Sequence, residues 1–140
     1  MKILILCTGN SCRSQMAQGF LKSFDINLDV HSAGTYPAAR VNQTAIKVMH
    51  EAGIDISANT PKNVDKYTGD EWDYVITVCD DAKESCPAFI GKVKHRLHMR
   101  FEDPSHATGT DVFIINEFRK ARDEIKAGFF KFYNENLLKR

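Results

Sequence analysis

The residues with the clearest chemistry stand near the start of the chain, in Cys7-Thr8-Gly9-Asn10-Ser11-Cys12-Arg13-Ser14. A cysteine followed, after five residues, by arginine and serine suits a tetrahedral oxyanion. Residues Thr8 to Cys12 are enough to bend the backbone round a small anion, and Gly9 and Asn10 tolerate unusual backbone angles, including positive φ. The amide N–H groups of such a loop point inward, and a helix that follows adds the positive end of its dipole. Arg13 offers a planar fork for two oxygens. Thiolate is the nucleophilic form of cysteine, and helix N-termini and cations favour it. Cys7 is therefore read as a nucleophile. Ser14 is expected to donate a hydrogen bond to its sulfur, holding the thiolate for attack and stabilising it as a leaving group. Cys12 is read as a small loop residue rather than a second reacting thiol, because the loop must turn its backbone inward and its side chains outward.

Two further cysteines, Cys79 and Cys86, lie seven positions apart. If the segment between them were helical, it would span about 10.5 Å, against the roughly 4.4–6.8 Å between Cα atoms that a disulfide requires. A bridge therefore needs the segment to loop out or unwind. Asp80, Asp81, Lys83, Glu84 and Ser85 give it little apolar anchoring against that. The plainer alternative is a pair of small packed residues. Cys79, Cys86, His95 and His98 also supply the residue types of a zinc site, but the cysteine spacing is too wide and the histidines fall on an expected strand. No metal is expected, and His31, His50 and His106 show no ligand pattern. Asp103 precedes Pro104, which fixes the backbone and removes a competing donor. A carboxylic acid placed over the anion can protonate a departing oxygen. Glu102 is read as its solvated neighbour.

The elements that must position these groups follow from apolar periodicity. Residues 2–6 form a short apolar run without alternation, the mark of a strand covered on both faces. From Ser14, the residues Met16, Ala17, Phe20, Leu21 and Phe24 fall at helical spacing. Leu28, Val30 and Ser32 alternate as a second strand closed by Ala33-Gly34. Val41, Ala45, Ile46, Val48, Met49 and Ala52 predict a second helix, ended by Gly53. Ile54-Asp55-Ile56 is short and alternating; Ser57–Asp65 reads as loop, leading into a short helix near Val64–Tyr67. Tyr74–Cys79 is the second strongly buried strand, and Asp80–Pro87 a polar loop with helical character. Val93–Phe101 is expected as an edge strand because of its Lys, His and Arg content. A long helix from about Asp111 to Asn136 has Thr110 or Asp111 as N-cap and an apolar face of Val112, Ile115, Phe118, Ala121, the Arg122 stem, Ile125, Phe129 and Tyr133.

Strands alternate with helices, so the expected fold is α/β: a single-domain, three-layer arrangement with a central, mainly parallel four-stranded sheet flanked by helices, spanning residues 1–140. Ligands of such sheets sit beyond the carboxyl ends of the strands, where Cys7, Cys79 and Asp103 converge. The net charge of +1 gives no electrostatic case for nucleic acid or an anionic membrane, and no apolar stretch approaches the ~20 residues of a membrane span. The opening apolar run is too short for a secretory signal, so a cytoplasmic protein with reduced thiols is expected. A monomer is expected, with no membrane or nucleic-acid partner.

The opening strand and Cys-Thr-Gly-Asn-Ser-Cys-Arg-Ser-Gln-Met-Ala resemble the phosphate loop of the low-molecular-weight protein tyrosine phosphatase superfamily, and more closely its thioredoxin-coupled arsenate reductase branch. The resemblance continues through His31-Ser32-Ala33-Gly34, Gly53-Ile54-Asp55-Ile56-Ser57, Val78-Cys79, Cys86-Pro87, Asp103-Pro104 and Arg122-Asp123-Glu124-Ile125. It implies an oxidoreductase of arsenical resistance whose substrate is arsenate, with phosphate as analogue. In the branch it resembles, Cys7 attacks arsenate, Cys79 attacks Cys7 and releases arsenite, and Cys86 attacks Cys79. The resulting disulfide is reduced by thioredoxin, and no cofactor is required. Thr8, Gly9, Asn10, Ser11, Cys12 and Arg13 would surround the oxyanion, and Asp103 would take the general-acid place.

The match has departures. Phosphatases of the superfamily carry tyrosines after the Asp-Pro pair, where this chain has Ser105-His106-Ala107. Some of the reductases hold potassium with acidic side chains where this chain has Gln18 and Lys62, so no potassium site is expected; Lys62 would instead supply a fixed positive charge. The alternative reading is a phosphatase that hydrolyses phosphotyrosine through a Cys7 phosphoenzyme with Asp103 as general acid. A third class is a sensor of oxyanions or thiol oxidation without turnover.

Overall fold

The apolar run at the start becomes strand β1, Lys2–Cys7, in which Ile3, Leu4, Ile5 and Leu6 are fully buried. The computed structural model describes residues 1–138, and the side chains of all of these except Asp81, Glu84 and Ser85. That part of the polar reading of residues 80–85 lies outside the described residues. Strands β2 (Asp29–Gly34) and β3 (Trp72–Thr77) flank β1, and β4 (Val93–His98) pairs with β3, giving the order β2-β1-β3-β4 with every pairing parallel. A strand with neighbours on both edges and layers on both faces has no polar side to show, which is why β1 reads as unbroken hydrophobicity.

Helix α1 (Arg13–Phe24) buries Met16, Ala17, Phe20 and Leu21, the periodic set expected of it. Burying side chains such as Phe20 or Leu21 contributes about 1.5–3 kcal/mol each. Helix α2 (Gln43–Glu51) starts at Asn42, whose side chain accepts from the amides of Thr44 and Ala45. The six-residue helix α3 (Asp80–Ser85) lies between the two downstream cysteines. Helix α4 (Asp111–Phe132) starts under the side chain of Thr110 and continues through a wider turn to Leu137. It covers the sheet with Phe118, Ala121, Ile125, Phe129 and Phe132, and Phe132 meets Tyr74 of β3 edge to face at 5.1 Å.

Val112 and the carboxyl ends of β3 and β4 depart from expectation. Val112 is 68% exposed, because α4 begins before it reaches the sheet and its first turn overhangs. The short alternating segment Ile54-Asp55-Ile56 lies outside the four-stranded sheet, and Ile54 and Ile56 pack against the bare Cα of Gly19 in α1. Strand β3 ends at Thr77 rather than Cys79, although the chain stays extended through Val78, whose amide still donates to Leu6. β4 likewise stops at His98, with Phe101 still donating to the Val78 carbonyl. Among the described residues no helix is long and apolar enough to cross a membrane.

Helices α2 and α4 are joined by a charged clasp. Glu51 accepts from Arg119 at 2.7 and 3.0 Å and from Arg122 at 3.0 Å, and Arg122 also donates to the Val48 carbonyl at the end of α2. Arg122 thus lies on the inner face by its stem while its guanidinium reaches α2. Hydrogen bonding by Arg119 above all draws the Glu51 carboxyl from 4.5 down to about 2; it is opposed by desolvation and helped by the Arg119 charge and then by Arg122. A depressed carboxylate contributes stability that is complete above its unfolded value and lost as pH falls through its folded one. Wild type should therefore lose stability between about pH 4.5 and about pH 2 partly through this group. Glu51→Gln should flatten that part of the curve, read as a smaller drop in urea midpoint between about pH 5 and about pH 3. Parallel curves for the two proteins would contradict the clasp.

Candidate active site

At the carboxyl end of β1 the chain turns through Thr8–Cys12 into α1. The turn is made by Asn10, the one described non-glycine residue with positive φ, at 50°; Gly9 does not take that role. The carbonyls of Cys7, Thr8, Gly9 and Ser11 accept from the amides of Thr35, Tyr36, Ala38 and Asn42, respectively. A trans peptide sets its N–H opposite its C=O. With these carbonyls tied outward, the amides of Thr8, Gly9, Asn10 and Cys12 face inward, as an anion cradle requires. Gly34 lets β2 come this close, since a Cβ there would collide with the Thr8 carbonyl oxygen. The first turn of α1 has no side-chain cap and no acidic residue, so its amides and dipole are open to an anion.

Cys7 is 3% exposed, and two groups approach its sulfur: Ser14 Oγ at 2.9 Å and the Asn10 amide, which donates at 3.2 Å. A thiolate sulfur has no proton to give, so with Cys7 in its reactive form Ser14 is the donor of the first. Asn10 Nδ2 donates to Ser14 Oγ at 2.8 Å and to Ser32 Oγ at 2.9 Å. Asn10 Oδ1 accepts from the Lys62 amide at 2.9 Å and from Gln15 Nε2 at 3.2 Å. Ser14 accepts from Asn10 on one lone pair and keeps its own proton for the sulfur. Ser32 passes its proton to Gln18 Oε1. Asn10, Ser14, Gln15 and Ser32 are all buried, and no buried side-chain polar atom among the described residues lacks a partner. Lys62 joins this network through its backbone, while its ammonium turns to the Thr60 carbonyl at 3.2 Å rather than supplying charge to the cradle.

Over the loop lies a cleft of about 280 Å³, walled by Cys7, Thr8, Gly9, Ser11, Cys12 and Arg13 on one side and by Asp103, Ser105 and His106 on the other. Arg13 Nη1 donates to the Phe101 carbonyl at 3.0 Å, and Nη2 pairs with Asp103 at 3.3 Å. Burial alone would raise the Asp103 carboxyl. The Ser105 hydroxyl and amide, Arg13 and His106 outweigh it and hold the carboxyl below the usual range. Glu102 faces away and pairs with Arg100 at 2.9 Å. Cys12 is 4% exposed, so its side chain turns inward rather than out. Burial first, then the charges of Asp103 and Cys7, push its thiol far up, which leaves it a thiol.

Cys79 is also buried, at the edge of a second cleft of about 250 Å³ that shares Thr8, Arg13, Asp103 and His106 with the first. Its sulfur lies 3.3 Å from Thr8 Oγ1. Cys86, at the other end of α3, is half-buried in a cleft with Val75, Thr77, Arg96 and His98. Burial pushes its thiol up against the opposite pull of Arg96. All four cysteines are free thiols. Of the zinc-type set, His98 shares the cleft of Cys86 but His95 stacks on Tyr74; among the described residues no His, Cys, Asp and Glu cluster could hold a metal ion.

The structure thus gathers Cys7, Arg13, Ser14, Cys79 and Asp103 at the strand ends, and holds Cys86 apart behind α3. Sequence reasoning passed over Gln15, Ser32, Ser105 and His106. An inward Ser on a buried strand was the available signal for Ser32; nothing local marks the others.

The family described as Low molecular weight phosphotyrosine protein phosphatase matches residues 2–140. An arsenate reductase of Halalkalibacterium halodurans is 47% identical over 124 residues, covering 88% of each chain. One of Shouchella clausii is 44% identical over 131 residues, covering 93% of each. A solved structure described as an arsenate reductase in the phosphate binding state is 31% identical, with a TM-score of 0.80 over 96% of this chain and 97% of its own.

Asn10→Ala should remove the donors to the Ser14 and Ser32 hydroxyls and the acceptor of the buried Lys62 amide at once. A loss of about 2–4 kcal/mol is expected in urea unfolding of the reduced protein. A loss below about 0.5 kcal/mol would mean that the carboxamide is not the tie described.

Proposed function

This chain belongs to the low molecular weight phosphotyrosine protein phosphatase family, and we propose that it is an arsenate reductase whose Cys7, Cys79 and Cys86 act in relay. The observation that carries the reading is the second buried thiol: Cys79 Sγ sits 3.3 Å from the loop residue Thr8, at the edge of a cleft continuous with that of Cys7. Ester hydrolysis has no use for a thiol there.

Arsenate enters the cradle of inward amides and exchanges Asp103 for its own oxygens at the Arg13 fork. The Cys7 thiolate, held by Ser14 and the Asn10 amide, attacks arsenic and forms an S–As bond. One arsenate oxygen leaves as water after taking up protons. The anion's charge raises the Asp103 carboxyl toward donating one of them. The Cys79 thiolate then attacks Cys7 sulfur. The S–As bond breaks, its electron pair stays with arsenic, and arsenic leaves as arsenite while Cys7 and Cys79 become a disulfide. Cys86 thiolate attacks Cys79 sulfur and releases Cys7 thiolate. Two electrons have passed from two thiols to arsenic, and the Cys79–Cys86 disulfide holds the debt. A dithiol protein of the thioredoxin class is the proposed reductant, by two successive thiol–disulfide exchanges. The reading calls for a compartment that keeps thiols reduced, the cytoplasm, and for a single-domain monomer acting without cofactor.

Cys86 has to travel. Cys79 and Cys86 flank an intact α3, and a helix of that length separates its ends by more than the roughly 4.4–6.8 Å a disulfide tolerates. Closing the bridge therefore unwinds α3, and the disulfide form presents this segment differently from the dithiol form.

A weak phosphatase activity is expected beside the reductase, since Cys7, Arg13 and Asp103 line one cleft. Cys79→Ser should abolish arsenate reduction and spare ester hydrolysis.

The test is arsenate-dependent NADPH oxidation coupled through thioredoxin and thioredoxin reductase. Wild type should turn over continuously. Cys86→Ser should release a single arsenite per enzyme and stop, trapped as a Cys7–Cys79 disulfide. No turnover by the reduced wild type sinks the proposed activity, and sustained cycling by Cys86→Ser sinks the relay.

A further inference from the structure

Helix α3 is six residues long. Isolated helices shorter than about 12–15 residues are marginal in water, so tertiary contacts must hold this one. Its apolar anchor is Ala82, fully buried. Its polar anchor is the residue beside Cys79. Asp80 accepts from His98 Nε2 at 3.0 Å on one carboxylate oxygen and from Arg100 Nε at 3.1 Å on the other. Each partner is tied on a second side. His98 Nδ1 meets Thr77 Oγ1 at 2.7 Å, and Arg100 Nη1 donates to Glu102 at 2.9 Å. A lone exposed ion pair contributes little, whereas a network whose members are already ordered loses less entropy in closing. Hydrogen bonds from His98 and then Arg100 hold the Asp80 carboxyl below its ordinary range, so it is ionised throughout the neutral region.

This cluster lies where the relay must open. Cys79 is fixed from the sheet side, through Val78 bonding to Leu6 and through Thr8 Oγ1. The part that moves to bring Cys86 over is therefore α3, and Asp80 is its first residue. His98, which grips Asp80, also walls the cleft in which Cys86 rests. One histidine thus bonds the first residue of α3 and lines the cleft of the cysteine at its other end.

We propose that Asp80, clamped by His98 and Arg100, is a positioning residue that sets the redox poise of the Cys79–Cys86 pair: the clamp holds in the dithiol form and is lost when the disulfide closes. The inference rests on the relay reading above. Whatever free energy the clamp contributes to the dithiol form alone is subtracted from the stability of the disulfide. The pair is thereby kept more oxidising and easier for a partner dithiol to reduce.

The test equilibrates the full chain with glutathione redox buffers at one pH. In the exchange, glutathione disulfide takes two electrons and two protons from Cys79 and Cys86 and leaves as two thiols. The Cys79–Cys86 disulfide is quantified by acid quench, alkylation and peptide mapping. Asp80→Ala should raise the equilibrium constant for disulfide formation about three- to tenfold, a potential about 15–30 mV more negative. Arg100→Ala should move it the same way by less. The double variant should go no further than Asp80→Ala, because both remove one interaction. The sign separates the clamp from simple charge. Losing a negative neighbour would by itself favour the Cys79 thiolate and shift the poise the other way. Thermal unfolding of the reduced variants checks that they are folded. A constant within about twofold of wild type, a shift of opposite sign, or additive effects in the double variant overturns the clamp while leaving the relay standing. Absence of a Cys79–Cys86 disulfide in wild type overturns the relay itself, and the clamp with it.

Discussion

A single buried carboxamide organises this site. Asn10 uses both of its amide protons and both lone-pair directions of its oxygen, on Ser14 in α1, Ser32 in β2, Gln15 in α1 and the backbone of Lys62. It does so from a left-handed backbone conformation, a strained position that asparagine tolerates better than most residues. The consequence for chemistry is directional. Asn10 fills one lone pair of Ser14 and orients its hydroxyl beside Cys7, whose thiolate can only accept the serine proton. The same residue sends its backbone amide to that sulfur as well. The shape of the loop and the hydrogen bonds at the nucleophile thus trace to one residue whose side chain does not line the cleft.

The second constraint is the parallel sheet. All four strands run the same way, so their carboxyl ends share one edge, and the register sets Cys7 beside Gly34 and Leu6 beside Thr77. The chain leaving β1 makes the anion loop, and the chain leaving β3 makes Cys79 and α3. The chain leaving β4 brings Arg100, Asp103 and His106 over the top. Two clefts that share Thr8, Arg13, Asp103 and His106 result, one ending on the nucleophile and the other on the thiol proposed to relieve it. The third thiol stays out of reach behind a short helix, which separates the steps of the proposed reaction by a conformational change rather than by distance alone.

Much of this was legible in the sequence. The unalternating run at Ile3–Leu6 had no other economical reading than a doubly covered strand, and it is one. The spacing of Cys7, Arg13 and Ser14 is local, so loop, helix start and serine contact follow from a few residues of chain. Cys12 and Asn10 were legible only in part. Side chains in a loop that turns its amides inward were expected to point out, yet both are buried, because β2 and the segment near Lys62 close over the loop from behind. Those contacts join residues far apart in the chain, and no local pattern announces them. The same holds for Asp80 with His98 and Arg100, and for Arg13 with Asp103. Val112 carried the right periodicity for the buried face of α4 but sits on a turn that overhangs the sheet. Periodicity tells which side of a helix is apolar, not how far along it the core extends.

The central question is which two thiols have given up their electrons once arsenate has been reduced. The most direct measurement is non-reducing peptide mapping of the wild-type protein after one equivalent of arsenate, with no reductant present. A disulfide between Cys79 and Cys86, with Cys7 and Cys12 recovered as free thiols, is the result predicted. A disulfide between Cys7 and Cys12, or four free thiols alongside released arsenite, would contradict it.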